Sequence, residues 1–327
     1  MTLSRRRFVL AGTAMALGSF SRTAWSQPQP YPTRLIKIVV PFPAGGPTDL
    51  MGRLAAQQLG ALLKQSVIVE NLPGAGGTIG SRSVARAAPD GYTLLLGGTN
   101  SNAITPAFYK DLGYDPVADF APVAAIAVDS SALVVAPAVP ARTVQELVDY
   151  LKRNPGKVAC GAPVGIAPHA MVAYFMKRSA TDMIFVPYKG GAPLITDMLS
   201  GQVQMTIGAK SVWLPHIQAG KMRALAVTSE TRWPELEDVS TMREAGMPDF
   251  PTYQWFDLMA PIKTPPEIID KLNATVNDGL KSAEIQTSLG KLGVEMKIQT
   301  PRELEQILRA EAQQWGSIVQ TTGIKID

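Results

Sequence analysis

The chain has 327 residues, of which 46% are hydrophobic and 18% charged, so it can bury two cores of ordinary domain size. Its formal net charge of +4 comes from four arginines near the N-terminus, because removing them from the 31 basic residues leaves 27 against 27 acidic ones. This balance argues against a nucleic-acid-binding surface. One cysteine, Cys160, excludes an internal disulfide and is expected to be buried. With only two histidines besides, we expect neither a metal nor a cofactor.

The first 26 residues resemble an export signal. The stretch from Ser4 to Leu10 is similar to the twin-arginine consensus, and the apolar segment that follows is too short to span a membrane. Small residues at Ala24 and Ser26 suit a cleavage site, which makes Gln27 the predicted mature N-terminus. An ordinary secretory leader that carries three arginines is the alternative. Either route predicts a mature protein in the periplasm of a bacterium.

The rest of the chain alternates β-like apolar runs with helical patterns, which favours the α/β class with parallel sheets. The predicted strands cover residues 35–40, 66–70, 93–96, 123–127, 132–136, 158–161, 183–186, 204–207, 224–228 and 256–260.

Two stretches, 132–139 and 250–261, are candidates for crossings between lobes. If the chain leaves a first lobe near residue 130 and returns near 250, a double hinge joins the two lobes. We therefore predict a signal peptide at 1–26, a first lobe at 27–130 plus 251–327, and a second lobe at 131–250.

The most informative stretch begins at Ile38. A β-branched run reads as a buried strand, a proline-glycine turn ends it, and Thr48 or Asp49 is a good N-cap for the helix that follows. A strand that feeds a glycine turn and a helix start leaves backbone N–H groups pointing outward. Those groups and the helix dipole favour an anion, above all a carboxylate or phosphate.

The same pattern of strand, turn and helix recurs along the chain. The further turns cover residues 73–78, 97–102, 161–169, 188–193 and 208–210. In open α/β sheets, ligands bind beyond the carboxyl ends of the strands, where such turns gather. Two lobes that present these turns to each other would form a cleft suited to a small anion.

Enzyme motifs are mostly missing. The sequence contains neither a nucleotide P-loop nor the G-x-S-x-G, H-E-x-x-H and C-x-x-C patterns. His169 can be a ligand-binding, a structural or a catalytic residue, and nothing in the sequence places a nucleophile beside it. Lys189 either offers a charge to the ligand or is a solvated loop lysine. Asp49 reads as a cap that holds the first turn rather than as a catalytic carboxylate.

At these turns the chain resembles the Bug family, the extracytoplasmic solute receptors of tripartite tricarboxylate transporters. The matching segments span almost the whole mature chain. They are residues 41–49, 70–77, 90–95, 114–116, 119–120, 186–190, 197–199, 225–229 and 244–246.

The resemblance implies a type II periplasmic-binding-protein fold, with two α/β lobes, a double hinge and a ligand cleft between them. In similar proteins main-chain amides of the first loop hold a carboxylate. Carried over to this sequence, the implied ligand-binding residues are Phe42, Ala44, Gly45, Gly46, Pro47, Thr48, Asp49, Gly76, Gly77, Thr99, Asn100, Gly165, His169, Tyr188, Lys189 and Gly190.

One segment departs from the family pattern. The loop before the histidine is usually rich in glycine, serine and threonine, but here it reads Val164-Gly165-Ile166-Ala167-Pro168. Fewer hydroxyls leave fewer donors for a second polar group. We therefore expect the far end of the ligand to be less polar than a second carboxylate, as in an aromatic or amide-bearing acid.

The sequence thus predicts a monomeric periplasmic receptor that captures a small organic carboxylate and delivers it to a membrane permease, without catalysis. An enzyme of the same fold that uses His169 is one alternative. A sensory module that presents the ligand to a signalling partner is another.

Overall fold

The structure is a computed structural model that describes residues 31–109 and 111–326. The predicted leader and its cleavage site before Gln27 lie outside the described residues.

The strands are β1 (Ile36–Val40), β2 (Val67–Asn71), β3 (Thr93–Gly98), β4 (Phe120–Val135), β5 (Ala159–Pro163), β6 (Ile184–Tyr188), β7 (Met205–Ala209), β8 (Arg223–Val227) and β9 (Tyr253–Pro261). The α-helices are α1 (Pro47–Leu63), α2 (Thr78–Ala85), α3 (Thr105–Phe108), α4 (Val144–Arg153), α5 (Ala167–Ser179), α6 (Gly191–Ser200), α7 (Lys210–Gln218), α8 (Pro266–Leu280), α9 (Ala283–Lys291) and α10 (Pro301–Thr322). Two short segments add a 3₁₀ turn at Ala75–Gly77 and a π-helical turn at Thr99–Ile104.

The strands form one mixed sheet in the order β2-β1-β3-β9-β4-β7-β5-β6, and β8 also pairs with β4. Pairing is parallel among β1, β2 and β3 and again among β5, β6 and β7. It is antiparallel wherever β4 or β9 takes part. The predicted α/β class is confirmed, with parallel strands in both halves and two long antiparallel strands between them.

Strand β4 corrects one prediction. The two strands expected at 123–127 and 132–136 are one strand of 16 residues. Two of the polar residues between them are hydrogen-bonded: Asp129 accepts from the Lys210 amide, and Ser130 accepts from the Trp233 indole N–H. Because their hydrogen bonds are satisfied, these residues can stay inside a buried strand.

The sheet changes partners within β4. Residues up to Ser130 pair with β9, whereas Ser131 and those after it pair with β7 and β8. We call β1, β2, β3, β9 and the first part of β4 the first half-sheet, and the rest the second half-sheet. The change of partners falls between Ser130 and Ser131. The limits of the two lobes stay a prediction.

Each half-sheet has its own apolar core. Helices α1 and α8 cover the first half-sheet, and α4 and α5 contribute to the core of the second. Helix α10 contributes to both halves, because Leu304 packs with Val39 of β1 whereas Trp315 packs with the core that contains Phe175 of α5. Cys160 is buried in the second core, as predicted. Within the described residues, no helix is both long enough and apolar enough to cross a membrane.

Candidate ligand-binding site

The first corner, residues 41–49, leads from β1 into α1. Helix α1 has Gly46 as its N-cap and Pro47 at its first position, so the predicted cap at Thr48 or Asp49 is wrong. Proline suits this position because the first-turn amide it lacks has no intrahelical partner. The first helical bond runs from the Leu50 amide to the Gly46 carbonyl, at 3.0 Å. The amides before Leu50 therefore have no intrahelical acceptor, and Ala44 and Gly45 are exposed.

The Asp49 carboxylate stabilises this corner through hydrogen bonds with residues of the corner and its neighbours. One carboxylate oxygen accepts from the Gly45 amide and from Arg53, both at 2.9 Å, and the other accepts from the Asn71 side chain at 2.9 Å. Asn71 also donates to the Phe42 carbonyl at 3.1 Å, which ties the end of β2 to the corner. Burial would raise the pKa of Asp49, but the bonds from Arg53, Gly45 and Asn71 outweigh it and lower the pKa below its ordinary value. Asp49 therefore stays ionised and holds the loop, and it uses the Gly45 amide to do so.

The second corner, residues 73–78, packs beside the first. Gly76 and Gly77 have φ angles of 65° and 100°, in the left-handed region that favours glycine. A methyl group on Gly77 would lie 3.2 Å from the Phe42 ring. The Gly76 carbonyl accepts from the Thr105 hydroxyl at 2.7 Å. The structure thus brings Phe42, Gly76 and Gly77 together.

The third corner follows β3 and faces the second half-sheet. The Thr99 hydroxyl is buried, donates to Glu311 and accepts from the Trp255 amide. The Asn100 side chain reaches across instead, because its oxygen accepts from the amide of Ala167, the first residue of α5, at 2.9 Å. Asn100 therefore links the two half-sheets, whereas the Thr99 hydroxyl is engaged internally.

His169 lies in the first turn of α5 and is buried. Its ring is stacked between Phe108, at 5.6 Å, and Phe185, at 4.6 Å between ring centres. Its Nδ1 accepts from the Gly165 amide at 3.4 Å, so the neutral ring carries its proton on Nε2. Burial lowers the pKa of His169. The neutral, stacked imidazole thus links the loop before α5 to the first turn of that helix through its hydrogen bond with Gly165.

The loop after β6 lies next to the Gly165 loop. The Tyr188 carbonyl accepts from the Val164 amide at 3.0 Å, and the Tyr188 hydroxyl donates to Asp197 at 2.6 Å. Lys189 is exposed, and Gly190 is the N-cap of α6. No contact within the described part of the chain joins Lys189 or Gly190 to the first corner.

An open cavity of about 580 Å³ lies elsewhere, along α5 and the end of the chain. Its lining includes His169, Lys177, Phe185 and Lys325. None of its lining residues belongs to the first, second or third corner. His169 is thus the one predicted site residue that faces this cavity.

Sequence reasoning missed three groups that the structure places around these corners. Asn71 fixes the first corner, Phe108 stacks on His169, and Tyr109 lies against Gly76. Asn71 occurs within a segment that resembles the family, so its position at the end of β2 was a usable signal. Phe108 ends a helix of four residues and Tyr109 follows it, and so short a helix has no periodicity that identifies a direction.

Among the described residues, no group of three or more His, Cys, Asp or Glu side chains could hold a metal ion. Backbone donors at glycine corners, beyond strand ends of a two-part α/β sheet, define the class of the two-lobed periplasmic binding proteins.

Comparison with known proteins identifies the family. A family model described as the tripartite tricarboxylate transporter family receptor matches residues 51–324, and the chain belongs to this family. The protein BugT of Bordetella pertussis is 36% identical over 298 residues, which cover 90% of this chain and 91% of BugT.

Solved structures agree with this assignment. A protein of R. palustris solved with adipate has a TM-score of 0.83 and 35% identity, covering 90% of this chain and 99% of that one. MatC from Rhodopseudomonas palustris, solved with bound malate, has a TM-score of 0.80 and 32% identity, over 88% of this chain and all of MatC. The periplasmic binding protein BugD has a TM-score of 0.81 and 34% identity, over 90% and 99% of the two chains. The predicted family and the two-lobed binding-protein fold are confirmed.

Proposed function

We propose that the protein is a periplasmic receptor that captures a small organic carboxylate and delivers it to the permease of a tripartite tricarboxylate-type transporter. The observation that carries the proposal is the first corner. There the Asp49 carboxylate fixes an exposed glycine turn, and the amides in the first turn of α1 have no intrahelical acceptor. A fixed set of donors loses little entropy when an anion binds. The relatives solved with adipate and malate support the same class of ligand.

The ligand carboxylate would bind at the amides of Gly46, Thr48 and Asp49, because the Gly45 amide already donates to Asp49. Arg53 neutralises the charge of Asp49 at 2.9 Å, which reduces the repulsion between that carboxylate and a bound anion. The positive end of α1 adds to the attraction.

The opposite wall would accept the rest of the ligand. The loop before α5 lacks side-chain hydroxyls, His169 is buried and neutral, and the Tyr188 hydroxyl is occupied by Asp197. This wall offers few donors, which favours an acid whose far end is aromatic or carries an amide rather than a second carboxylate. Contacts with both half-sheets would favour a closed state of the protein.

Gly46→Asp tests the site directly. An aspartate at the N-cap accepts from the first-turn amides of its own helix, so it would occupy the donors that we assign to the ligand. Titration calorimetry with adipate, malate and benzoate should show at least one acid that binds the wild type. That acid should bind Gly46→Asp at least tenfold more weakly, while the variant is as stable as the wild type. Gly46→Ala should lose less affinity, since it adds no acceptor. Equal affinities for Gly46→Asp and the wild type would exclude this corner as the anion site.

Delivery needs a test in cells. A strain that lacks the gene should lose uptake of the acid that binds tightest in the titrations, and the wild-type gene should restore it. Normal uptake with loss of induction by that acid would instead indicate a sensory role. Protein purified from the periplasm by cell fractionation should begin at Gln27 by mass spectrometry.

A further inference from the structure

Tyr109 lies between the corners of the two half-sheets. It follows α3 in an extended conformation. A methyl group on Gly76 of the second corner would lie 2.9 Å from its Cε2 atom. A methyl group on Gly165, in the loop before α5, would lie 3.9 Å from its hydroxyl oxygen. The ring therefore spans the distance from a corner of the first half-sheet to a loop of the second.

The hydroxyl of Tyr109 remains available. The side chain is partly exposed, and burial is the only influence on its pKa, which it raises. The phenol is thus protonated at neutral pH, and no described residue forms a hydrogen bond with it. By contrast, the Tyr188 hydroxyl on the neighbouring loop donates to Asp197 at 2.6 Å.

Apolar residues adjoin the Gly165 loop that this hydroxyl approaches. Ile326 lies 3.7 Å from a methyl group on Gly165, and the loop itself contributes Val164 and Ile166. A neutral donor beside apolar groups favours a ligand whose far end carries one neutral acceptor, because a second carboxylate would lose part of its hydration there.

We propose that Tyr109 determines the specificity of this receptor: its ring covers the far part of the ligand, and its hydroxyl donates to a neutral acceptor on an aromatic acid. Hydroxy- or amide-bearing aromatic carboxylates are the ligand class. This inference rests on the proposed function, since it assumes that a carboxylate binds at the first corner.

The same geometry explains the glycine at position 76. A side chain there would meet the Tyr109 ring at 2.9 Å and the Thr105 hydroxyl at 3.1 Å. The close approach lets the phenol reach the Gly165 loop, and the ring thereby forms a side wall between the two glycines.

Titration calorimetry with benzoate, 4-carbamoylbenzoate and terephthalate tests the inference. The wild type should bind 4-carbamoylbenzoate tightest, because its amide accepts from Tyr109 while its other end carries the carboxylate. Tyr109→Phe should weaken binding of 4-carbamoylbenzoate about fivefold, in line with one hydrogen bond, and leave benzoate unchanged. Tyr109→Leu should weaken both acids. Tyr150→Phe removes a phenol from α4 as the control and should bind all three acids like the wild type.

The outcomes separate the two proposals. If the wild type binds none of these acids and neither adipate nor malate, the receptor function itself fails, and this inference fails with it. If the wild type binds acids but Tyr109→Phe retains its preference for 4-carbamoylbenzoate, only the inference is overturned. Equal weakening of benzoate and 4-carbamoylbenzoate by Tyr109→Phe also overturns it, since a structural role would affect both acids alike. Tyr109→Phe decides the question even where Tyr109→Leu fails to fold.

Discussion

Two aspartates, one in the first corner and one in the central strand β9, both have little surface accessible to solvent but differ in their hydrogen bonds and in their pKa values. Asp49 is 2% exposed and accepts hydrogen bonds from Gly45, Arg53 and Asn71. Asp257 is 0% exposed, and neither of its oxygens has a hydrogen-bond partner among the described residues. Burial alone therefore does not decide whether an aspartate is charged, because the donors around it do.

The neighbours of Asp257 strengthen the contrast. Its nearest titratable influence is Glu311 of α10, which is also buried and accepts from Thr99. Burial raises the pKa of Asp257 well above its ordinary value, and the charge of Glu311 raises it further. Burial raises the pKa of Glu311 to about 8, against the opposing bond from Thr99. The first corner thus keeps an anion in order to position donors, whereas β9 and the adjoining helix α10 hold protonated carboxyl groups.

Removal of the Asp49 side chain should give the largest change in the free energy of unfolding. Asp49→Ala leaves the Gly45 amide without its acceptor and removes one of the two acceptors of the Asn71 side chain, so it should lower the free energy of unfolding by about 2–4 kcal/mol. Because folding lowers the pKa of Asp49, its contribution is present above the ordinary value of 3.8 and is lost as pH falls through the lowered pKa. Urea denaturation at pH 7 and pH 3 measures both effects, with the larger loss at pH 7.

An exposed aspartate is the control for this measurement. Asp278 is 70% exposed and pairs with Lys281 at 3.0 Å, so Asp278→Ala should cost less than about 1 kcal/mol. Similar losses for the two variants would show that Asp49 does not brace the corner.

The glycine corners could be predicted because turn chemistry is local. A strand followed by proline, two glycines and a helix pattern identified the first corner from a few adjacent residues. The cap was misplaced because Asp49 is as good a cap as Gly46 by residue type, and only the contact with Gly45 shows that it braces the turn from the third helical position.

Contacts between distant segments could not be predicted. The sequence predicted two strands where β4 is one, since the hydrogen-bond partners of Asp129 and Ser130 lie 81 and 103 residues further along the chain. The same reason hid the inward direction of the Thr99 hydroxyl, which depends on Glu311. Asp257 carries no local signal, because an acidic residue in a short apolar run is compatible with either side of a sheet. Tyr109 carries none either, because the helix before it has only four residues.

Neutralising Asp257 should change the free energy of unfolding by less than Asp49→Ala does, and in the opposite direction. Folding raises the pKa of Asp257 and Glu311 above their ordinary values of 3.8 and 4.5, so the folded state binds more protons. Their contribution to stability is present below those values and is lost as pH rises through the folded pKa, about 8 for Glu311. Asp257→Asn should therefore raise the free energy of unfolding by about 2 kcal/mol at pH 9 and change it little at pH 4.

Thermal denaturation of wild type and Asp257→Asn between pH 4 and pH 9 measures this difference. Asp278→Asn, at an exposed position, is the control for this measurement. A constant offset between wild type and Asp257→Asn across the whole range would mean that Asp257 is not the titrating group.

The smallest effect should come from the backbone of the second corner, which has no buried charge. Gly76→Ala forces a side chain into a φ angle of 65° and against Tyr109, so it should lower the free energy of unfolding by about 1 kcal/mol. Gly290 lies within α9 with open space around its Cβ position, and Gly290→Ala should instead stabilise the protein by about 0.5–1 kcal/mol. Urea midpoints of the two variants should thus move in opposite directions. A shift of both midpoints upward would show that Gly76 tolerates a side chain, and the close contact between the second corner and Tyr109 would then not constrain this residue.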